Sequence, residues 1–368
     1  MEQHTKSQKK SYLWIYATII LCCYGFFKEF KPSEPFLTPY LEDNSTNSSK
    51  NFTKAQVNGD IYPFWSYSYL ISLLFVFLLT DALRYKPVIF VEAGAYLTTR
   101  FLLIWGTSVS AMQWMQVAYG VATATEIAYY SYIYVTVSVI HFKKVTSYVR
   151  AVRLFGQAMA GIVAQILIST KTANYLQLNY ISLASVSVAC FFALLLPDEC
   201  FCCSCQRCKE VQVRVSVEPK HQRIHIRVIN WLIRTTKNRW HDFKKFYSNL
   251  SLLKWSVWWA LATCGVLQVG NYVQSLWKEV ATGANSEHKG EYNGVVEALA
   301  TLCSAGAAFV LSFMKVNWPV WGEITIGLLS LIDGVVLLVA SAATTLWLVY
   351  LCHILYRTTY AFLITIAR

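Results

Sequence analysis

Gln116, Tyr119, Thr123, Glu126 and Tyr130 recur at intervals of three and four residues. A helix therefore carries an amide, two phenols, a hydroxyl and a carboxylate on one face. That set suits binding better than bond making. A carboxylate beside aromatic rings holds an organic cation by charge and by stacking, and it can also exchange a proton. The stretch around these residues, Met112 to Tyr134, is otherwise apolar. At ~1.5 Å per residue, roughly 20 such residues cross ~30 Å of hydrocarbon. A carboxylate at that depth costs a few kcal/mol unless it meets water, a cation or a partner. The polar stripe is expected to face a wet cavity. The opposite stripe, Val117, Val121, Ala124 and Ala128, is expected to face neighbouring helices or lipid. A carboxylate tied into a structural hydrogen-bond network is the alternative reading.

The elements that position this helix follow from composition. The 368 residues are 55% hydrophobic and only 14% charged, with the apolar residues in long blocks. This describes a polytopic helical membrane protein. The net charge of +12 lies mostly in loops assigned to one side of the membrane. Topology explains it better than nucleic acid does, and none is expected as a partner. Of eleven cysteines, none falls in a loop assigned to the outside, so no structural disulfide is expected.

A polar, basic N-terminus with Lys6, Lys9 and Lys10 reads as cytosolic, and the first span begins near Tyr12 as a retained signal anchor. Pro32, Pro35 and Pro39 break the backbone beyond it, around Glu34. Broken backbone at membrane depth is tolerated where it lines a cavity, which makes Glu34 a second candidate, with an ordinary interfacial acid as the alternative. Residues 41–60 carry three sequons, at Asn44, Asn47 and Asn51, and are expected to be glycosylated outside or in the lumen. Trp65, Tyr67 and Tyr69 open the next span, either as an interfacial belt or as walls for a flat cation. Glu92 and Arg100, eight residues apart on the third span, each need a partner on another element or a wet surface.

The stretch HFKKVTSYVRAVR (141–153), with Arg150 and Arg153, reads as a cytosolic loop before a span beginning near Ala151. A basic block at residues 198–250 contains Cys200–Cys208, where palmitoylation is favoured over zinc. Further on, Gln268, Asn271 and Gln274 form a polar stripe, for interhelical bonds or for ligand. The layout is an all-α membrane protein of about ten spans: a six-helix bundle at 1–197, a cytosolic loop at 198–250 and an incomplete bundle at 251–368. No glycine-rich phosphate loop, nucleophile elbow or strong metal-ligand set is present, so neither an enzyme nor a cofactor is expected.

Stretches through the whole chain carry a resemblance: SEPFLTPYL (33–41), WSYSYL (65–70), LTDALRYKPV (79–88), EIAYYSYIY (126–134), VTSYVRAVRL (145–154), LNYISLASVSVA (178–189), KWSVWWA (254–260), NYVQSLW (271–277), YNGVVEALAT (292–301), KVNW (315–318) and FLITIA (362–367). In these the chain resembles the folate/thiamine carriers, solute carrier family 19. The resemblance implies a major-facilitator fold of roughly six plus six helices, a plasma-membrane location and vitamin transport by alternating access. TATEIAYY at Glu126 looks like the thiamine branch, whereas reduced folate carriers have a basic residue there. The charges agree, since thiamine is a cation and folate an anion.

Glu34, Trp65, Gln116, Tyr119, Glu126 and Asn271 fall at positions the resemblance associates with the ligand cavity. Three positions depart from the thiamine pattern: Gln116 replaces an acid, Gln157 an aromatic residue and Arg100 an apolar or aromatic one. Relatives continue beyond FLITIA, so the ending at Arg368 is expected to reflect a truncated or alternatively spliced form, impaired in transport. The expectations are thus a thiamine carrier, a folate or other organic-ion carrier, or a non-transporting form that regulates a full-length carrier.

Overall fold

The structure is a computed structural model and describes residues 2–42, 50–83, 85–137, 139–197, 240, 243–283, 292–313 and 318–367. Asn44, Asn47, the Cys200–Cys208 cluster and most of the basic loop lie outside the described residues. Among those described, the regular structure is helical, with ten long helices: α1 (Glu2–Glu29), α2 (Tyr62–Leu83), α3 (Tyr85–Trp105), α4 (Val109–Thr136), α5 (Phe142–Ser169), α6 (Tyr175–Leu194), α7 (Leu250–Gly283), α8 (Asn293–Phe313), α9 (Trp318–Ala342) and α10 (Leu346–Ile366). Seven are long and apolar enough to cross a membrane on length and composition alone: α3, α5 and α6 to α10. The chain is a multi-pass membrane protein, and the number of long helices agrees with the expected spans.

The prolines act as anticipated. α1 stops at Glu29, and the chain resumes as a single 3-10 turn, Glu34–Phe36, followed by the short helix Leu37–Glu42. The break exposes backbone groups that α1 no longer pairs, and α6 supplies their partners. Ser185 Oγ donates to the Phe27 carbonyl at 2.7 Å, and the Ser33 N–H donates to Ser182 Oγ at 3.0 Å. A buried polar group left unpaired costs about 1–3 kcal/mol, so these serines hold the break in one shape.

Helix ends away from the break are also satisfied. Ser108 caps α4 by accepting the Ala111 N–H at 3.2 Å, a contact that contributes about 1 kcal/mol. Lys50 Nζ donates to the carbonyls of Ile104 and Gly106, both at 2.7 Å, and so closes the C-terminal end of α3.

α4 is the central element of the first six helices, flanked by α2 and α3, while α1 packs on α5 and α6. Tyr24, Tyr129, Tyr132, Ile133, Val145 and Val149 form the principal core between α1, α4 and α5. Ala124 and Ala128 of α4 are fully buried, so its small-residue stripe faces neighbouring helices. Among the last four helices, α10 packs on α7, α8 and α9. The outward faces of α7 and α9 present Leu253, Val257, Leu261, Leu328 and Leu331, as a lipid-facing surface does.

One expectation is corrected. Residues 143–153 are not a loop: α5 begins at Phe142 and runs unbroken through them. A helix carries basic residues past the hydrocarbon boundary at little cost, because their long stems reach polar surroundings. Charge alone therefore placed the span's start about two turns too late.

The two groups of helices meet at the end of the molecule that bears Asn51. Gly161 of α5 and Gly294 of α8 touch backbone to backbone. A Cβ built on either would lie 2.6 or 2.5 Å from the other's carbonyl oxygen. Gln165 Oε1 then accepts the Gly294 N–H at 3.0 Å. Further contacts line the same end: Lys54–Glu279 at 2.7 Å, Lys278–Glu42 at 3.0 Å and Ser275 Oγ to Asn58 Oδ1 at 2.8 Å. Gly161→Val is expected to part this seam. In purified protein, a cysteine placed at Ser275 should then react with a maleimide several-fold faster than in the Gly161 background; an unchanged rate contradicts the seam.

Candidate binding site

The site begins at the break in α1. Four cations, Lys28, Lys31, Arg100 and Arg153, meet four acids, Glu29, Glu34, Glu92 and Glu126. Formal charge within this cluster therefore sums to zero.

Lys28, in the last turn of α1, is buried. Its Nζ lies 2.6 Å from Glu92 Oε1 on α3 and 3.8 Å from Glu126 Oε1 on α4. The ammonium also sits over the Tyr129 ring, 4.5 Å from the centroid. Glu92 is fully buried in turn. A single pair of this kind does not stabilise a fold by itself, but each partner makes the other tolerable.

Arg153, read from sequence as cytosolic, lies inside the cluster. Its Nη2 is 2.5 Å from Glu29 Oε1 and its Nη1 is 2.5 Å from Glu126 Oε1, with Tyr130 Oη as a further partner. Unbroken helix explains the correction, since α5 carries Arg153 alongside the end of α1.

The second node surrounds Glu34. Arg100 Nη2 reaches Glu34 Oε1 at 2.7 Å, while its Nη1 donates to Ser33 Oγ at 3.0 Å. Lys31 Nζ is 2.8 Å from the same Glu34 oxygen and lies over the rings of Tyr96 and Tyr119, at 4.8 and 5.8 Å. Glu92 and Arg100 thus each find partners on other elements, as their spacing required.

Aromatic residues join the two nodes. Tyr119 packs on Trp65 with ring centroids 5.9 Å apart and on Tyr96 at 6.1 Å. Trp65 Nε1 donates to Thr123 Oγ1 at 3.2 Å. The α4 stripe is therefore a continuous wall, with Glu34 beside Tyr119 and Glu126 two turns along. Gln116 is buried one turn on the other side of Tyr119.

Asn271 stands apart from this wall. Its Nδ2 donates to the Tyr62 carbonyl at 3.4 Å. Gln274, one turn on, donates to the Glu34 carbonyl at 2.8 Å and accepts the Thr38 N–H at 3.1 Å. The α7 polar stripe thus bonds to the broken segment and to the start of α2.

Exposure separates the members of the cluster. The side chains of Glu34 and Glu126 keep 35% and 25% exposure, whereas Lys28, Lys31 and Arg100 keep 1–3%. The carboxylates are the open ends of ion-pair chains whose lysines and Arg100 are buried behind them. Each carboxylate has lone pairs to spare. Their open edges are suited to a positively charged or hydrogen-bond-donating ligand.

Sequence reasoning missed Lys28, Glu29, Lys31 and Arg153. A signal was present in the clustering of Lys28, Glu29 and Lys31 around the proline break.

Comparison with known proteins supplies an independent line. The family model described as Reduced folate carrier matches residues 12–368. Human thiamine transporter 1 is 39% identical, over 96% of this chain and 76% of its own length. Folate transporter 1 of Caenorhabditis elegans is also 39% identical, over 96% of this chain and 77% of its own. Among solved structures, a mutant of the nucleoside transporter NupG superposes with a TM-score of 0.62 at 14% identity, covering 95% of this chain and 81% of that one. That likeness shows a fold of the major-facilitator type.

Proposed function

The chain belongs to the reduced folate carrier family, a family of membrane carriers and not of enzymes, and we propose that within it this chain moves thiamine, or a closely related organic cation, by alternating access. The observation that carries this reading is the part-exposed edges of two carboxylates on one wall: Glu34, whose partner Lys31 lies over the Tyr119 ring that packs on Trp65, and Glu126, two turns along from Tyr119. A flat cation stacks on the rings and lies against the carboxylates. At ~4 Å and an effective dielectric near 20, each such contact is worth up to ~4 kcal/mol before desolvation. In this reading Gln116 and Asn271 contribute hydrogen bonds at the margins.

The contacts between the two groups of helices gather at the Asn51 end. We take that end as the outer one, because the sequon residue Asn51 lies there. The substrate path then opens toward the cytosol, with the N-terminus on the same side and the protein in the plasma membrane. The proposed division is a bundle at 1–197, a cytosolic loop at 198–250 and a second bundle at 251–368. Asn44, Asn47 and Asn51 are the proposed glycan sites; Asn51 is exposed, with φ 57°.

A competition panel tests the reading. Uptake of labelled thiamine by cells expressing this chain, and lacking other carriers, should fall with unlabelled thiamine and other organic cations. Folate should leave it unchanged. Displacement by folate would favour the organic-anion reading, which the similarity to the worm folate transporter keeps in play.

Arg100 gives a second test. It ties Glu34 to Ser33, at a position where the resemblance to the thiamine carriers implies an apolar or aromatic residue. Arg100→Leu leaves Glu34 with Lys31 alone. The half-saturating thiamine concentration should fall several-fold, and an increase would contradict the role given to Glu34.

A further inference from the structure

Outside the site, a buried imidazole has neither ring nitrogen hydrogen-bonded among the described residues. His353 lies mid-way along α10 and is 4% exposed. Its Nε2 is 3.3 Å from Glu297 Oε1 on α8 without a hydrogen bond, and its Nδ1 has no partner among the described residues. Arg357 Nη1, one turn on, lies 3.8 Å from the other Glu297 oxygen. The indole of Trp277 on α7 meets the imidazole edge to face, with centroids 5.1 Å apart.

We propose that His353, with Glu297 as its counter-charge, is a proton-binding site. Imidazole is the side chain suited to gaining and losing charge near neutral pH. When His353 is neutral, Glu297 is balanced by Arg357. When a proton adds to the imidazole, Glu297 gains a second and nearer cation. No covalent bond changes, and the proton comes from water and returns to it.

The surroundings leave this exchange to the pair. α10 itself contributes Arg357, Tyr350 and Tyr356. Tyr350 Oη donates to Asn293 Oδ1 at 2.9 Å. α9 contributes Asp333, which is occupied by Thr359 Oγ1. α7 contributes Trp277 and, one residue on, Lys278, which pairs with Glu42. On the other side of α8 lie Gln165, bonded to the Gly294 N–H, and Glu34, bonded to Arg100 and Lys31. Glu297 sits one turn from Gly294. The proton site is therefore linked through α8 to the seam that joins the two groups of helices.

The test needs no transported substrate, so it stands apart from the thiamine reading. An imidazolium quenches a neighbouring indole. Trp14 is itself stacked on His141, with centroids 4.3 Å apart, so the measurement is made in a His141→Gln background, where tryptophan fluorescence of the purified full chain should drop in one step on acidification from about pH 8 to about pH 5. His353→Gln should remove that step, Trp277→Phe should remove it too, and Glu297→Gln should displace its midpoint. If His353→Gln does not accumulate, Trp277→Phe alone decides. A step that survives loss of His353, or loss of Trp277, overturns the proposal. The absence of any step in the His141→Gln chain overturns it equally.

Discussion

Glu126→Gln is expected to lower saturable thiamine uptake at least tenfold, with an unchanged amount of folded protein in the membrane. The two parts of this result have separate causes. Glu126 is a partner of both Arg153 and Lys28, yet neither depends on it, because Arg153 keeps Glu29 and Lys28 keeps Glu92. The fold therefore survives. The site does not keep its balance: losing one carboxylate turns the neutral cluster into one of net positive charge, on the face an incoming cation would meet. A loss of ~1.4 kcal/mol of binding already gives tenfold, well below the ~4 kcal/mol Coulomb attraction at close range. Uptake with wild-type half-saturation would show that Glu126 serves structure alone.

Lys28→Met is expected to have the largest effect on stability. It leaves Glu92 fully buried, facing no cation at hydrogen-bond distance among the described residues. Removing one partner of a buried ion pair typically costs about 3–5 kcal/mol, because the remaining charge is stranded. Thermal unfolding of the detergent-purified variant should shift sharply downward, or the variant should fail to accumulate. Lys28→Met combined with Glu92→Leu should recover most of the loss, since replacing both charges by apolar groups removes the stranded one. If the double variant is no more stable than the single one, the cost does not arise from Glu92.

These two expectations separate what was legible in the sequence from what was not. The spans were legible because long apolar blocks have few alternatives. The broken first span was legible because a proline lacks the backbone donor a helix requires. Glu126 stood out as an acid at hydrocarbon depth. Its partners did not. Lys28 and Arg153 meet Glu126 across helix interfaces, and nothing in their local sequence separates a buried ion pair from a lysine at a span's end or an arginine in a cytosolic loop. Arg153 was misread because the rule that places basic residues inside the cell describes loops, and here the helix continues.

The α7 stripe illustrates the same gap. Its spacing announced a polar face, but the pairing of Gln274 with the backbone around Glu34 is a tertiary fact. Gly161 and Gly294 lie on separate helices far apart in the chain, and their backbone contact is equally invisible to local pattern.

The most direct test of the charge reading is equilibrium binding of labelled thiamine and labelled folate to the purified chain and to its Glu126→Arg variant. The account predicts that the unaltered chain binds thiamine and that the arginine variant loses thiamine and gains folate. Folate binding to the unaltered chain, with thiamine unbound, would contradict it.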